Sequence, residues 1–137
     1  MQLNLTLGVT DLQRSQIFYS EILELEVDSQ PAHNSRPAFL LVRCGATRLV
    51  LQPLAVLEAQ HPALLQNLSR DTLGVGLQLE FSCPDMSALL HRLQARHWPI
   101  LYELEDQEHQ RRELWLHDPD GYLLVLNEEQ EPAGRRP

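Results

Sequence analysis

Leu3, Leu5, Leu7 and Val9 alternate with Asn4, Thr6 and Gly8, the two-residue period of a strand with one apolar face. Thr10, with Gln13 three residues on, has the spacing of a capping box. From Asp11 the apolar positions Leu12, Phe18, Tyr19, Ile22 and Leu25 change to helical spacing, and the helix should end near Leu25. A short strand over 26–29 and a turn-rich loop from Pro31 to Pro37 come next. Residues 38–43 and 47–52 then read as a hairpin about Cys44, Gly45 and Ala46. The unit is β-α-β-β-β. Residues 54–70 contain no glycine and space their leucines loosely as a helix would, with His61-Pro62 suited to a helix start. This predicts a linker with one or two short helical turns.

The pattern then restarts. Leu77, Leu79 and Phe81 alternate with Gln78, Glu80 and Ser82, and Pro84-Asp85 opens a helix striped by Met86, Leu89, Leu90 and Leu93. Pro99 should stop that helix, 100–104 should be a strand and 105–110 a polar loop. Two alternating runs, 113–117 and 122–127, close on Asp118-Pro119-Asp120-Gly121, where Pro fixes a negative φ and Gly accepts a positive one. Leu3 and Asp11 recur as Leu77 and Asp85, both 74 positions later (77 − 3, 85 − 11). Leu49-Val50-Leu51-Gln52 recurs as Leu124-Val125-Leu126-Asn127, 75 later (124 − 49). Strand, acidic helix start, hairpin and last strand return in order, so the chain reads as tandem βαβββ modules. Module one covers 1–53, a linker 54–73, module two 74–128, all in one domain, with 129–137 as a disordered tail.

Composition narrows the partners. A chain of 137 residues, 43% hydrophobic and 22% charged, suits one soluble globular domain. The net charge is −8 and every one of the 11 basic residues is arginine. Without a basic stripe, nucleic acid and anionic membrane are poor partners, and without lysine, Schiff-base chemistry is excluded. The N-terminus has neither a basic head nor a long apolar run, so the expected location is cytoplasmic. Cys44 and Cys83, far apart and outside any Cys-x-x-Cys pattern, read as reduced thiols.

Residues 5–25, a strand leading through Val9-Thr10-Asp11-Leu12 into a helix with Ser15-Gln16-Ile17-Phe18-Tyr19, resemble the opening of the glyoxalase/bleomycin-resistance/extradiol-dioxygenase (vicinal oxygen chelate) superfamily. Leu116-His117-Asp118-Pro119-Asp120-Gly121-Tyr122 and the strand after it resemble that group's closing hairpin. The resemblance implies an α+β fold. Its paired βαβββ modules curl a mixed sheet into a cup, with helices outside and a small molecule held in the concave face. It also implies a homodimer.

Alternation by itself names the side chains opposite the leucine-rich faces: Asn4, Thr6, Gln78 and Glu80 on the first strands of the two modules. Arg48, Val50 and Gln52 join them from the first hairpin, with Leu40 matched to Trp115. Glu113, Trp115, Val125 and Asn127 come from the second, with His117 at the rim. Metal-using members of the superfamily place His or Glu at four positions that fall here on Asn4, Val50, Gln78 and Val125. Two amides and two valines do not offset the dehydration of a transition metal, so no metal and no cofactor is expected. The remaining histidines (His33, His61, His91, His97 and His109) show no metal-ligand spacing.

The expected function is therefore a metal-independent small-molecule binding protein. Its ligand is polar or cationic and has an aromatic part, and it is held by Asn4, Thr6, Arg48, Gln52, Gln78, Glu80, Glu113, Trp115 and Asn127. The alternative is a lyase, isomerase or dioxygenase of the same superfamily with displaced metal ligands, or with Glu80 or Glu113 as the acid–base carboxylate.

Overall fold

The computed structural model describes residues 1–109 and 111–128; the expected tail, 129–137, lies outside the described residues. The alternating N-terminal run forms β1 (Asn4–Val9) and the chain turns at once into α1 (Leu12–Ile17). Asp11 is the cap, where the spacing had suggested Thr10. Its Oδ1 accepts from the backbone N–H of Gln13 at 2.9 Å and of Arg14 at 3.3 Å, satisfying donors that a first turn leaves open. One wider turn of π type, Phe18–Ile22, completes the helix and buries Phe18, Tyr19 and Ile22. Glu24 then adopts a left-handed backbone at φ 55° and releases the chain into β2 (Glu26–Gln30), β3 (Phe39–Cys44) and β4 (Thr47–Pro53).

The first sheet has the order β1-β4-β3-β2, with β1 parallel to β4 and the other pairs antiparallel. Leu40 lies opposite Leu51 and Val42 opposite Leu49, all four buried, so they share the face on which α1 packs. Leu40 is thus a core residue, not a member of the polar face; its neighbour Leu41 takes that place. Pro53 ends β4 and also begins α2 (Leu54–Gln60), with no loop between them. His61 closes α2 where a helix start was expected, and its carbonyl then accepts from Leu64 and Leu65 in one isolated turn. A Cβ built on Gly8 would sit 2.6 Å from Leu54 Cδ2 and 2.8 Å from Leu57 Cδ1. Glycine here is what lets α2 lie against β1 on its polar side. A short 3-10 turn, Leu68–Arg70, is tied back by Glu58 Oε1, which accepts from Leu68 N–H at 2.7 Å.

The chain divides into two compact units, Met1–Leu73 and the part from Gly74 onward. The second unit repeats the first: β5 (Gln78–Cys83), α3 (Met86–Ala95), β6 (Tyr102–Asp106), β7 (Arg111–His117) and β8 (Leu123–Glu128), in the order β5-β8-β7-β6. Asp85 Oδ1 caps α3 through Ala88 N–H at 3.0 Å. Met86, Leu89 and Leu93 pack with Leu79, Leu114, Leu116, Leu124 and Leu126 in its core. The helix does not wait for Pro99 to end. His97 turns left-handed at φ 52°, while Trp98 N–H reaches Leu93 carbonyl and His97 N–H reaches Gln94 carbonyl, a Schellman ending. β6 accordingly starts two residues later than the expected 100–104 strand and takes in Glu105 and Asp106. The fold is α+β, with two four-stranded mixed sheets and three α-helices among the described residues. Among the described residues no helix is long and apolar enough to cross a membrane.

Candidate functional site

Strand partners share a face, so the registers place each candidate side chain. In the first sheet Asn4 lies beside Arg48, Thr6 beside Val50 and Gly8 beside Gln52. Leu41 joins opposite Val50, and Asp28 opposite Leu41. Asn4, Thr6, Arg48 and Gln52 are therefore together on the side away from α1. Arg43, on the same face, pairs with Asp28 at 3.1 Å. Arg48 is exposed and makes no ion pair among the described residues. The loop after β2 rims this face with a cavity of about 590 Å³ walled by Gln30, Pro31, Asn34, Arg36 and Phe39.

The second sheet gathers the more distinctive chemistry. One row runs Tyr102, Trp115, Val125, Glu80 across β6, β7, β8 and β5, and the next runs Leu104, Glu113, Asn127, Ser82. Gln78 lies beside Leu123, and the exposed His117 stands at the end of β7 opposite Leu123. Trp115 and Tyr102 meet edge to face with centroids 6.0 Å apart. The indole N–H of Trp115 donates to Glu113 Oε1 at 2.5 Å, which fixes both side chains. Asn127, 8% exposed, donates through Nδ2 to Glu80 Oε1. Tyr102 was missed at the sequence level because β6 was placed too early, which hid its register with Trp115.

Below the face, the closing turn holds it rigidly. Asp118, 3% exposed, accepts at Oδ1 from Asp120 N–H at 2.8 Å and Tyr122 N–H at 3.0 Å. Gly121 supplies φ 94°, and Trp98 Nε1 braces the strand end by donating to His117 carbonyl at 2.9 Å.

One other cluster lies elsewhere. Asp106, Glu108 and His109 bring three donor atoms within 4.8 Å of one another at the exposed β6–β7 turn, a grouping that sequence spacing did not reveal for His109. The hydrogen bond from His109 holds the Asp106 carboxyl below the usual carboxylate range. Cys44 and Cys83 are free, and burial raises both thiols above their ordinary range.

The repeated βαβββ unit defines the class of fold. The sequence pattern of the Glyoxalase/Bleomycin resistance protein/Dioxygenase superfamily matches residues 2–126, and the chain belongs to that family. A protein of unknown function from Agrobacterium tumefaciens is similar at 23% identity and TM-score 0.69, over 95% of each chain. A superfamily member from Sphaerobacter thermophilus is similar at 18% identity and TM-score 0.65, over 94% of this chain and 97% of its own. A lactoylglutathione lyase from Agrobacterium tumefaciens is similar at 16% identity and TM-score 0.61, over 93% of this chain and 92% of its own. At such identities the likeness shows the fold. No curated protein sequence is a match.

The family resemblance assigns metal ligands to four positions. In the first sheet they are Asn4 and Val50, whose strand partners are Arg48 and Thr6. In the second they are Gln78 and Val125, the valine 2% exposed. Methyl groups carry no lone pair and amides are weak donors, so this set does not fit a transition metal.

Proposed function

We propose that this protein binds a small organic molecule against the polar faces of its sheets, without a metal at the superfamily's ligand positions. The observation that carries the reading is the second sheet, where Trp115, Tyr102, Glu113, Glu80 and Asn127 converge around a buried Val125. An aromatic surface with a few fixed polar groups is the composition of a binding site, and Val125 removes the ligand on which the metal chemistry depends.

Thermal unfolding across a small-molecule panel, run in the presence of a chelator, tests this. A true ligand at a hundred times its dissociation constant adds about 2.7 kcal/mol of stability. Stabilisation that persists in chelator supports the reading. One tightly held Ni, Zn, Mn or Fe per chain, needed for a lyase or dioxygenase activity, overturns it.

A further inference from the structure

The second sheet carries an asymmetry of charge that the binding reading does not use. Glu80 and Glu113 each accept a hydrogen bond from a neutral donor, the Asn127 amide and the Trp115 indole. Among the described residues neither is paired with an arginine or histidine. Arg111, next along that face of β7, stands across from Asp106 and not from either glutamate. Neutral donors orient a carboxylate without cancelling its charge. Each glutamate also keeps a second oxygen, so the face has two aimed acceptors that no cation among the described residues partners.

The aromatic part is oriented too. Glu113 occupies the indole N–H, so what Trp115 offers a ligand is its π surface, with Tyr102 standing edge-on beside it. Glu113 is two residues from Trp115 on β7, roughly 7 Å along the strand, and Glu80 is two strands away, roughly 10 Å. The spacing matches a ring with a short arm ending in a charge.

From this we infer that the ligand class of the second sheet is the arylalkylamine. Its ring lies on Trp115 beside Tyr102, and its protonated primary or secondary amine is shared between the free oxygens of Glu113 and Glu80. This deepens the small-molecule reading and rests on it. The face rejects organic anions, because a carboxylate or phosphate placed on the same arm meets two uncancelled negative charges. Thr6 and Leu41 stand where the first sheet would need Glu80 and Trp115, so the first sheet lacks both anchors.

Three probes with one ring and one arm length test it: tryptamine, tryptophol and indole-3-propionate, followed by ligand-detected and protein-detected NMR on the full chain. Tryptamine should bind about tenfold more tightly than tryptophol, the scale of one charge-assisted hydrogen bond, and indole-3-propionate more weakly still. Glu113→Gln and Glu80→Gln should each weaken tryptamine much more than tryptophol and bring the two affinities together. Both substitutions are close to isosteric, so the test does not depend on a variant that fails to fold. If tryptophol or indole-3-propionate binds as tightly as tryptamine, the charge rule is wrong while the small-molecule reading stands. Tryptamine shifts confined to the 31–37 loop place the amine elsewhere and overturn the assignment. Silence from all three probes also overturns it, and the broader reading then stands or falls on the chelator-treated panel.

Discussion

His97 holds a left-handed backbone with a side chain that gains nothing from it. It occupies the position after the end of α3 where the Schellman hydrogen bonds require φ 52°. Glycine adopts that conformation without the Cβ clash, so His97→Gly should stabilise the protein by about 1 kcal/mol, read from the urea midpoint at unchanged slope. Asp118 is the opposite case. Its Oδ1 satisfies two backbone N–H groups under a 3% exposed side chain. Asp118→Ala should cost about 3 kcal/mol by removing the acceptor that both N–H groups share, with Asp118→Asn in between. The thiols make a chemical prediction: Cys44 and Cys83, raised by burial, should react with iodoacetamide at pH 7.5 more slowly than a free peptide thiol. A rate equal to the peptide's would mean that the strand ends open readily.

At the scale of the element, α3 does most to hold the second unit's apolar face. Leu89 is 1% and Leu93 0% exposed, and Leu89→Ala should cost about 3 kcal/mol through the cavity it leaves. Loss below 1 kcal/mol in a chemical melt would show that α3 collapses into the gap. Elements with a single apolar face were legible from sequence: β1, β5 and α3 follow their periods. The failures have particular causes. Leu40 and Leu41 are both apolar, so alternation supplies no phase for β3, and only its register with Leu51 and Val50 decides. Helix ends at Glu24 and His97 are set by backbone angle, and neither residue is the glycine that would have announced it. The polar face was readable in type, while the bonds that aim it, Trp115 to Glu113 and Asn127 to Glu80, needed side-chain directions that a period cannot give.

For the whole molecule, the internal repeat is the organising fact, and the hinge of the numbering is Gly74. Its φ is +78°, and an added Cβ would lie 2.6 Å from Tyr122 Cδ1 and 3.3 Å from Tyr122 Cα. Gly74→Ala should therefore destabilise the protein by about 3 kcal/mol, combining backbone strain with displacement of a buried ring. Its effect should appear in the second unit first, as amide exchange at β8 and the Tyr122 turn, with α1 protected longer. Equal loosening of both units would mean that they unfold as one.

The two sheets also share one register. Thr6, Leu41 and Val50 occupy in the first the places that Glu80, Trp115 and Val125 occupy in the second. Phe39 likewise stands where Glu113 does, since both lie two residues before the matched position on their strands. A duplicated backbone of this kind works as a socket whose fittings are interchangeable. Writing Thr6→Glu, Phe39→Glu and Leu41→Trp into the first sheet would set the acidic and aromatic side chains of the second at matched strand positions.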